Sequence, residues 1–241
     1  GIIGYAKDIK LSESFSIGKG VASIDFSAFG KCSELRSITV AESNTVYHSV
    51  GNCLIETASK KLVVGCSNSV IPSDGSVTSI GSWAFANRSE LTSITIPDGV
   101  TSIGGSAFNG CGKLTGIVIP DSVTSIGSAA FCDCRELKSI VIPNGVTSIG
   151  SNAFSNCSGL TNIMIPDSVS SIGYAVFYNC SGLTSIIVAG ENAVYHSNGN
   201  CLIETESKTL ILGCTNSVIP NDGSVTSIGS GAFSGCRQKV M

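Results

Sequence analysis

The chain has 241 residues, of which 42% are hydrophobic and only 13% are charged, with a net charge of −3. No basic block or stripe occurs, which argues against a nucleic-acid partner. No apolar run reaches the roughly 18 residues that a membrane-spanning helix needs, so we expect no membrane insertion.

Most of the chain is a repeat. Residues 1–20 do not match it, and we predict that they form an N-terminal cap. Over 21–236 a unit of about 23 residues recurs. Two consecutive copies are VTSIGGSAFNGCGKLTGIVIPDS (100–122) and VTSIGSAAFCDCRELKSIVIPNG (123–145). One such unit cannot bury its own apolar face, whereas stacked units bury a continuous strip. We therefore predict a single repeat-solenoid domain over 1–241, with one coil per unit.

Each coil is predicted to contain two extended segments and one tight turn. The run LTSITI (91–96) alternates with period two and predicts a strand. All six prolines fall in the slot after this run, where a strand must end because proline lacks a backbone donor. The VTSIG run predicts a second extended stretch. The SxAFxxC run is too short for a full helix and predicts a single helical or 3-10 turn.

Two intervals break the period. Phe29 to Phe85 and Phe177 to Phe233 are equally long, and each is longer than two repeat units. Each contains a copy of one motif, TVYHSVGNCLIET (45–57) and AVYHSNGNCLIET (193–205). In the first copy Cys53–Glu56 and Lys61–Val64 predict two short strands around a turn. We predict that β-hairpin insertions occupy about 41–70 and 189–218.

The repeated motif contains residue types used in catalysis. His48 and Cys53 are five residues apart, but nucleophilic chemistry needs a further orienting group and a cleft, and the sequence provides neither. We therefore interpret Tyr47 and His48 as packing residues of the hairpin. No catalytic residue, metal ligand or cofactor is predicted. Asp98, Asp121 and Asp167 share one slot, where a turn role is favoured over calcium binding.

The 11 cysteines separate into groups. Cys53 with Cys66, and Cys201 with Cys214, bracket the insertions and are candidates for disulfides if their Cα atoms lie within about 7 Å. The odd total favours thiols that are mostly reduced. Cys132 is expected to point outward. Six others share one repeat position, where we expect a buried column of thiols with Arg88 substituting in one coil: Cys32, Cys111, Cys134, Cys157, Cys180 and Cys236.

The CxxLxxIxIPxxVxxIGxxAF unit resembles the BspA-like, treponemal-type leucine-rich repeats of bacterial and protozoan surface proteins, from about 21 to 236. The resemblance implies a leucine-rich-repeat horseshoe with a parallel β-sheet, at the cell surface or secreted. It also implies a binding or adhesion role, with a host matrix protein, a cell-surface protein or a glycan as partner.

In such proteins the outward residues of the strands form the concave, ligand-facing surface. Here those positions are uncharged, and apolar side chains follow one another in successive coils, which often marks a partner surface. Strand propensity alone is the alternative explanation. The predicted binding residues are Thr95, Val118, Val141, Met164 and Ile187.

Three classes of function remain at this point. An adhesion module is favoured over a structural spacer of a larger surface protein, and an enzyme is remote because no acid, base and nucleophile converge. The repeat stops at Cys236 without a polar cap. We therefore expect either self-association through the C-terminal edge or a chain cut from a longer protein.

Overall fold

The computed structural model describes residues 13–236, without the side chains of Phe26 and Ser27, as a stack of coils that follows the sequence repeat. Each regular coil has a long strand from the LxSIxI run and a two-residue short strand from the VTSIG run. The long strands are Ser14–Ile17, Ser37–Val40, Ser93–Thr95, Gly116–Val118, Asn162–Ile165 and Ser185–Val188. The short strands are Ser79–Ile80, Ser102–Ile103, Ser125–Ile126, Ser148–Ile149, Ser171–Ile172 and Ser227–Ile228. The predicted repeat solenoid with a parallel sheet is confirmed.

The long strands pair in parallel and in the register of the repeat, with Ser93 opposite Gly116 and Asn162 opposite Ser185. The coil between these two pairs has no assigned long strand. Its cross-coil bonds are stretched, since Lys138 N lies 3.4 Å from Thr115 O and Thr161 N lies 3.3 Å from Lys138 O. The stack therefore continues through this coil, although the sheet does not.

The short strands from Ser79–Ile80 to Ser171–Ile172 form one parallel ribbon, and most of its isoleucines face the core, whereas Ser227–Ile228 pairs with the second insertion instead. Ile80, Ile103 and Ile149 are each 1% exposed. The ribbon runs in chain order from Ser79–Ile80 to Ser171–Ile172, and the first insertion extends its other end to make eight strands. The insertions are thus part of the sheet.

The strand pairing of the stack begins inside the predicted cap of residues 1–20. Ser14–Ile17 pairs in parallel with Ser37–Val40 in the register of the repeat. Phe15 and Ile17 alternate as repeat residues do, and Gly18 follows them at the position that proline occupies in later coils. The rest of the predicted cap, residues 1–12, lies outside the described residues.

Each insertion is an antiparallel meander of three strands rather than the predicted two. In the first insertion, Tyr47–Val50, Cys53–Glu56 and Lys61–Gly65 pair in succession. The additional turn is Gly51-Asn52, with φ values of +58° and +57°, which is the geometry of a two-residue hairpin turn. The second insertion repeats this arrangement with Tyr195–Asn198, Cys201–Glu204 and Thr209–Leu212.

The SxAFxxC runs form tight turns, which we call the turn segments. Bonds from residue i to i−3 are present, as from Ala86 N to Trp83 O at 3.0 Å. Phe26–Phe29 is the one regular 3-10 helix among the described residues. In later coils two residues per turn segment, such as Trp83 and Asn87, have φ near +60° and interrupt it. These residues turn their N–H groups toward the next coil.

The turn segments are joined by a three-rung ladder of hydrogen bonds. Trp83 N, Phe85 N and Asn87 N donate to the carbonyls of Gly105, Ala107 and Asn109 in the next coil at 2.7 to 3.0 Å. The same rungs recur in the next three coil interfaces. Inside the ladder the rings of five phenylalanines stack at centroid distances of 5.0 to 5.4 Å: Phe85, Phe108, Phe131, Phe154 and Phe177.

The insertions interrupt this phenylalanine column, and a glycine terminates it. An ideal Cβ on Gly65 would lie 2.0 Å from Cε1 of Phe85, and one on Gly213 would lie 2.1 Å from Cε1 of Phe233. Backbone therefore packs directly on each ring. Gly65 N and Gly213 N also donate to Ala84 O and Ala232 O at 2.8 Å, which replaces one rung of the ladder.

Candidate binding surface

The predicted binding residues lie on the outer side of the long strands. Their inward neighbours, such as Ile94 and Ile163, are buried, so the two faces alternate as the sequence indicates. We call Val118, Val141, Met164 and Ile187 the apolar stripe, and they are 60%, 77%, 57% and 46% exposed. Thr95 is exposed in the preceding coil. Large apolar side chains this open to solvent have no role in the core.

Successive members of the apolar stripe are neighbours. Thr95 is the cross-strand partner of Val118, and Met164 is the partner of Ile187. Val141 lies in the intervening coil of the same stack. Paired strands are about 4.8 Å apart, so Met164 and Ile187 are adjacent. Val118 and Val141 occupy the same repeat position in the two preceding coils. The outward strand positions in these coils contain no charged residue.

A groove opens at the N-terminal end of the apolar stripe. It has a volume of about 710 Å³ and includes Thr95 and Val118 among its lining residues. Its other wall comes from the end of the first insertion, where Val70 is 73% exposed. Sequence reasoning did not select Val70, because the NSVIP run was interpreted only as the return to the proline slot. The groove makes one side of the stripe concave.

His48 and Cys53, the residues that suggest catalysis, lie on adjacent strands but form their hydrogen bonds with other partners. His48 is half-exposed, and its Nδ1 lies 2.9 Å from the hydroxyl oxygen of Thr57. Cys53 is fully buried, and its thiol lies 3.6 Å from Gly51 O and 3.8 Å from Val70 O. Burial raises the pKa of the Cys53 thiol to about 12, which disfavours the nucleophilic thiolate. Tyr47 is 4% exposed, in agreement with a packing role.

The cysteines of the shared repeat position form a structural column. The thiols of Cys111, Cys134 and Cys157 donate to the phenylalanine carbonyls of the preceding coil at 3.1 to 3.2 Å. All 11 cysteines are free thiols, including both pairs that bracket the insertions. Cys132 is only half-buried, as its place outside the column suggests.

Arg88, the substitution in this column, is fully buried. Its Nε donates to Gly65 O at 2.7 Å, and its Nη1 donates to Phe29 O at 3.1 Å and to Ala86 O at 2.9 Å. Burial lowers the pKa of the guanidinium, whose neighbours are the thiols of Cys32, Cys66 and Cys111. Arg88 therefore joins the first insertion, the coil before it and the coil after it.

Metal-binding clusters and membrane-spanning helices are both absent from the described residues. Within residues 13–236, no three His, Cys, Asp or Glu side chains lie close enough together to hold a metal ion. The same part of the chain contains no helix that is long and apolar enough to span a bilayer. The exposed apolar stripe and its groove are therefore the surface features that we consider as a binding site.

The coil geometry, with parallel strands that recur once per coil around an aliphatic and phenylalanine core, defines a leucine-rich-repeat solenoid. The sequence-family model of the BspA type leucine rich repeat region matches residues 7–62 and 63–184 of this chain, in six copies. The chain therefore belongs to this family, as the repeat unit indicated. Solved structures that the chain resembles are likewise described as leucine-rich repeat proteins.

Solved structures of bacterial proteins share the fold. A leucine rich cell surface protein from Faecalibacterium prausnitzii is 33% identical over 74% of this chain, with a TM-score of 0.67. A leucine-rich repeat protein from Eubacterium ventriosum is 26% identical over 93%, with a TM-score of 0.72. This chain covers only 48% and 59% of those two chains. No curated protein matches the sequence.

Proposed function

We propose that this chain is a binding module of a cell-surface or secreted protein, and that it engages a protein partner through the apolar stripe. The observation that carries the proposal is the exposure of four large apolar side chains in one uncharged line. Contiguous apolar surface of this kind typically marks a site of protein interaction. The likeness to a leucine rich cell surface protein supports the location.

The rigidity of the stack suits this role. The stacked phenylalanine rings and the three-rung ladders hold the coils in register, so the stripe is presented without ordering on binding. A pre-organised surface loses less conformational entropy when a partner docks. The groove beside Thr95 and Val118 offers a concave place for a side chain of the partner.

A solid-phase binding screen tests the proposal. The protein is presented to matrix proteins, glycans and cell-wall fragments, beside a variant with Val118→Lys, Val141→Lys and Met164→Lys. A matched control, Thr101→Lys, Thr124→Lys and Thr147→Lys, adds the same charges to the same three coils at exposed positions of the VTSIG runs. Far-UV circular dichroism and thermal unfolding verify that both variants are folded.

We expect a protein ligand that is retained by the control and lost, by about tenfold or more in affinity, in the stripe variant. A ligand that binds both variants equally would place the site elsewhere and overturn the proposal. No ligand across the panel would favour a structural spacer in a larger surface protein. A glycan hit that depends on the stripe would keep the site and change the class of partner.

A further inference from the structure

The second insertion leaves a notch in the turn-segment ladder. A cavity of about 210 Å³ lies between residues 172–178 of the coil before the insertion and residues 229–231 of the coil after it. Ile211 and Leu212 of the insertion form part of its apolar lining. At its rim the Tyr174 hydroxyl lies 3.5 Å from the hydroxyl of Ser230. We call this cavity the notch.

The notch contains backbone groups that the regular stack would pair. By the register of the ladder, Ala175 N and Phe177 N should donate to the next coil, as Asn152 N and Phe154 N do to Tyr174 O and Val176 O. Neither amide has an acceptor among residues 13–236, although Phe177 is only 3% exposed. Buried N–H groups without a partner are costly and rare. Phe177 and the half-buried Ala175 both line the notch, so their amides are open to an acceptor that enters it.

The opposite wall supplies an unpaired acceptor. Across the insertion, the third rung survives, because Asn179 N donates to Ser234 O at 3.1 Å. The second rung is taken over by Gly213 N, which donates to Ala232 O. The first rung would end at the carbonyl of Ser230, which receives no donor in the described part of the chain. Donors and an acceptor therefore face each other across the notch.

The corresponding place in the first insertion has different side chains. Gly231, with φ of +72°, is the counterpart of Trp83, which has a similar φ of +63°. Cys236 is the counterpart of Arg88, whose guanidinium joins the coils on either side of the first insertion. Gly231 lines the notch, so a glycine stands there in place of the tryptophan of the first copy.

We propose that the notch binds the main chain of an extended peptide with small side chains. Two carbonyls of the peptide, separated by one residue, accept hydrogen bonds from Ala175 N and Phe177 N, and one peptide N–H donates to Ser230 O. This is the strand-addition mode of recognition, in which main-chain bonds provide the affinity. The volume is below the roughly 300 to 1,000 Å³ of sites for drug-sized ligands, which selects residues such as glycine, alanine and serine. The site is independent of the apolar stripe.

A display library of random linear heptapeptides provides the probe. Peptides enriched on the wild-type chain are synthesised, and their affinities are measured by fluorescence anisotropy. Gly231→Trp places the residue of the first copy into the notch, at a φ that tryptophan already adopts at Trp83. Gly75→Trp is the matched control, since Gly75 also has a positive φ and an added Cβ there meets no atom within 4 Å.

We expect enriched peptides to be rich in small residues and to lose about tenfold or more in affinity for Gly231→Trp, while binding of Gly75→Trp and of the stripe variant is unchanged. N-methylation of single peptide amides tests the main-chain bonds on the unaltered protein, whether or not Gly231→Trp folds. One methylated position should abolish binding. Peptides that tolerate N-methylation at every position, or the absence of any enriched peptide, would overturn the proposal.

Discussion

The two insertions have nearly the same sequence but join the stack differently. Their entries are built alike: Asn44 Oδ1 accepts from Val46 N and Tyr47 N, and Asn192 Oδ1 accepts from Val194 N and Tyr195 N. Their exits are not. By exit we mean the junction between an insertion and the coil that follows it. At the first exit the guanidinium of Arg88 bonds the insertion, whereas at the second exit the Cys236 thiol makes one bond, to Gly213 O at 3.1 Å.

The difference shows that duplicated insertions keep their local bonds but can vary in how they pack against the neighbouring coils. The entry bonds are local and are encoded within the duplicated block, so both copies reproduce them. The exit depends on the fit between two coils that an insertion separates in the chain. Arg88 bridges the first junction, whereas the second has Cys236 at that position and the notch beside Gly231. A duplicated block can therefore become a structural joint in one place and an open notch in another.

The largest expected effect is at Arg88. Arg88→Ala leaves a cavity and removes donors from the carbonyls of Gly65, Phe29 and Ala86, which should lower the free energy of unfolding by about 3 to 5 kcal/mol. Urea titration followed by circular dichroism measures the loss. Cys236→Ala should cost about 1 kcal/mol, because one weak thiol bond is lost. Equal losses at the two positions would break the comparison.

A second contrast concerns the glycines that meet the phenylalanine rings. Gly65→Ala forces Phe85 or the insertion to move, and overpacking of this kind costs about 1 to 3 kcal/mol. Gly213→Ala should cost less, since Phe233 is half-buried while Phe85 is fully buried. Thermal unfolding of the two variants side by side decides. A larger loss for Gly213→Ala would contradict the view that the second exit is the looser one.

Because Asn44 and Asn192 make equivalent bonds at the start of each insertion, we expect their substitution to lower the free energy of unfolding equally. Asn44→Ala removes side-chain bonds to Gly18 O and Val21 O as well as the two bonds that its oxygen accepts. Asn192→Ala removes the corresponding four bonds, two of them to Pro166 O and Val169 O. We expect about 2 kcal/mol in each case from denaturant titrations. A difference of more than about 1 kcal/mol would show that the entries are not equivalent.

The smallest contrast is between Cys53 and Cys201, one in each insertion, in how the free energy of unfolding responds to alkaline pH. Burial raises the pKa of Cys53 to about 12, from an ordinary value of 9.0. Above about pH 9 the unfolded chain loses a thiol proton that the folded chain keeps. The stability contributed by this thiol is therefore complete below pH 9 and falls by about 1.4 kcal/mol for each pH unit above it.

Denaturant titrations at pH 8 to 10 in reducing buffer measure this slope. Cys53→Val should reduce the slope by about 1.4 kcal/mol per pH unit, while other buried thiols such as Cys111 and Cys180, whose pKa burial also raises, maintain the rest. Cys201→Val should reduce it by a similar or smaller amount, because burial also raises the pKa of Cys201. An unchanged slope in Cys53→Val would refute the assignment.

Much of the fold could be predicted because its signals are local. The alternation in LTSITI, the single proline slot and the fixed spacing of phenylalanine predict the strands, their ends and the stack. The third strand of each insertion was missed although Gly51-Asn52 between two apolar runs is a hairpin signal. The left-handed residues of the turn segments were also missed, since Trp83, Ala129 and Ala175 have no sequence preference for positive φ.

The candidate sites were predictable to different degrees. The exposure of Val118 and Val141 follows from strand alternation, so these positions could be selected from the sequence. The role of Arg88 was visible only as a substitution in the cysteine column, because two of its three acceptors, Gly65 O and Phe29 O, come from distant residues. The notch had no sequence signal, since it arises where two coils separated by an insertion fail to complete a ladder.

Amide hydrogen exchange of the free chain tests most directly whether the second junction is open. The account predicts that the amides of Ala175 and Phe177 exchange about a hundredfold or more faster than those of Asn152 and Phe154, whose rungs are complete, because an unpaired amide beside a cavity is not held by the cooperative stack. Equal protection at all four amides would contradict it. That result would mean that the second insertion closes the ladder as fully as Arg88 closes the first exit.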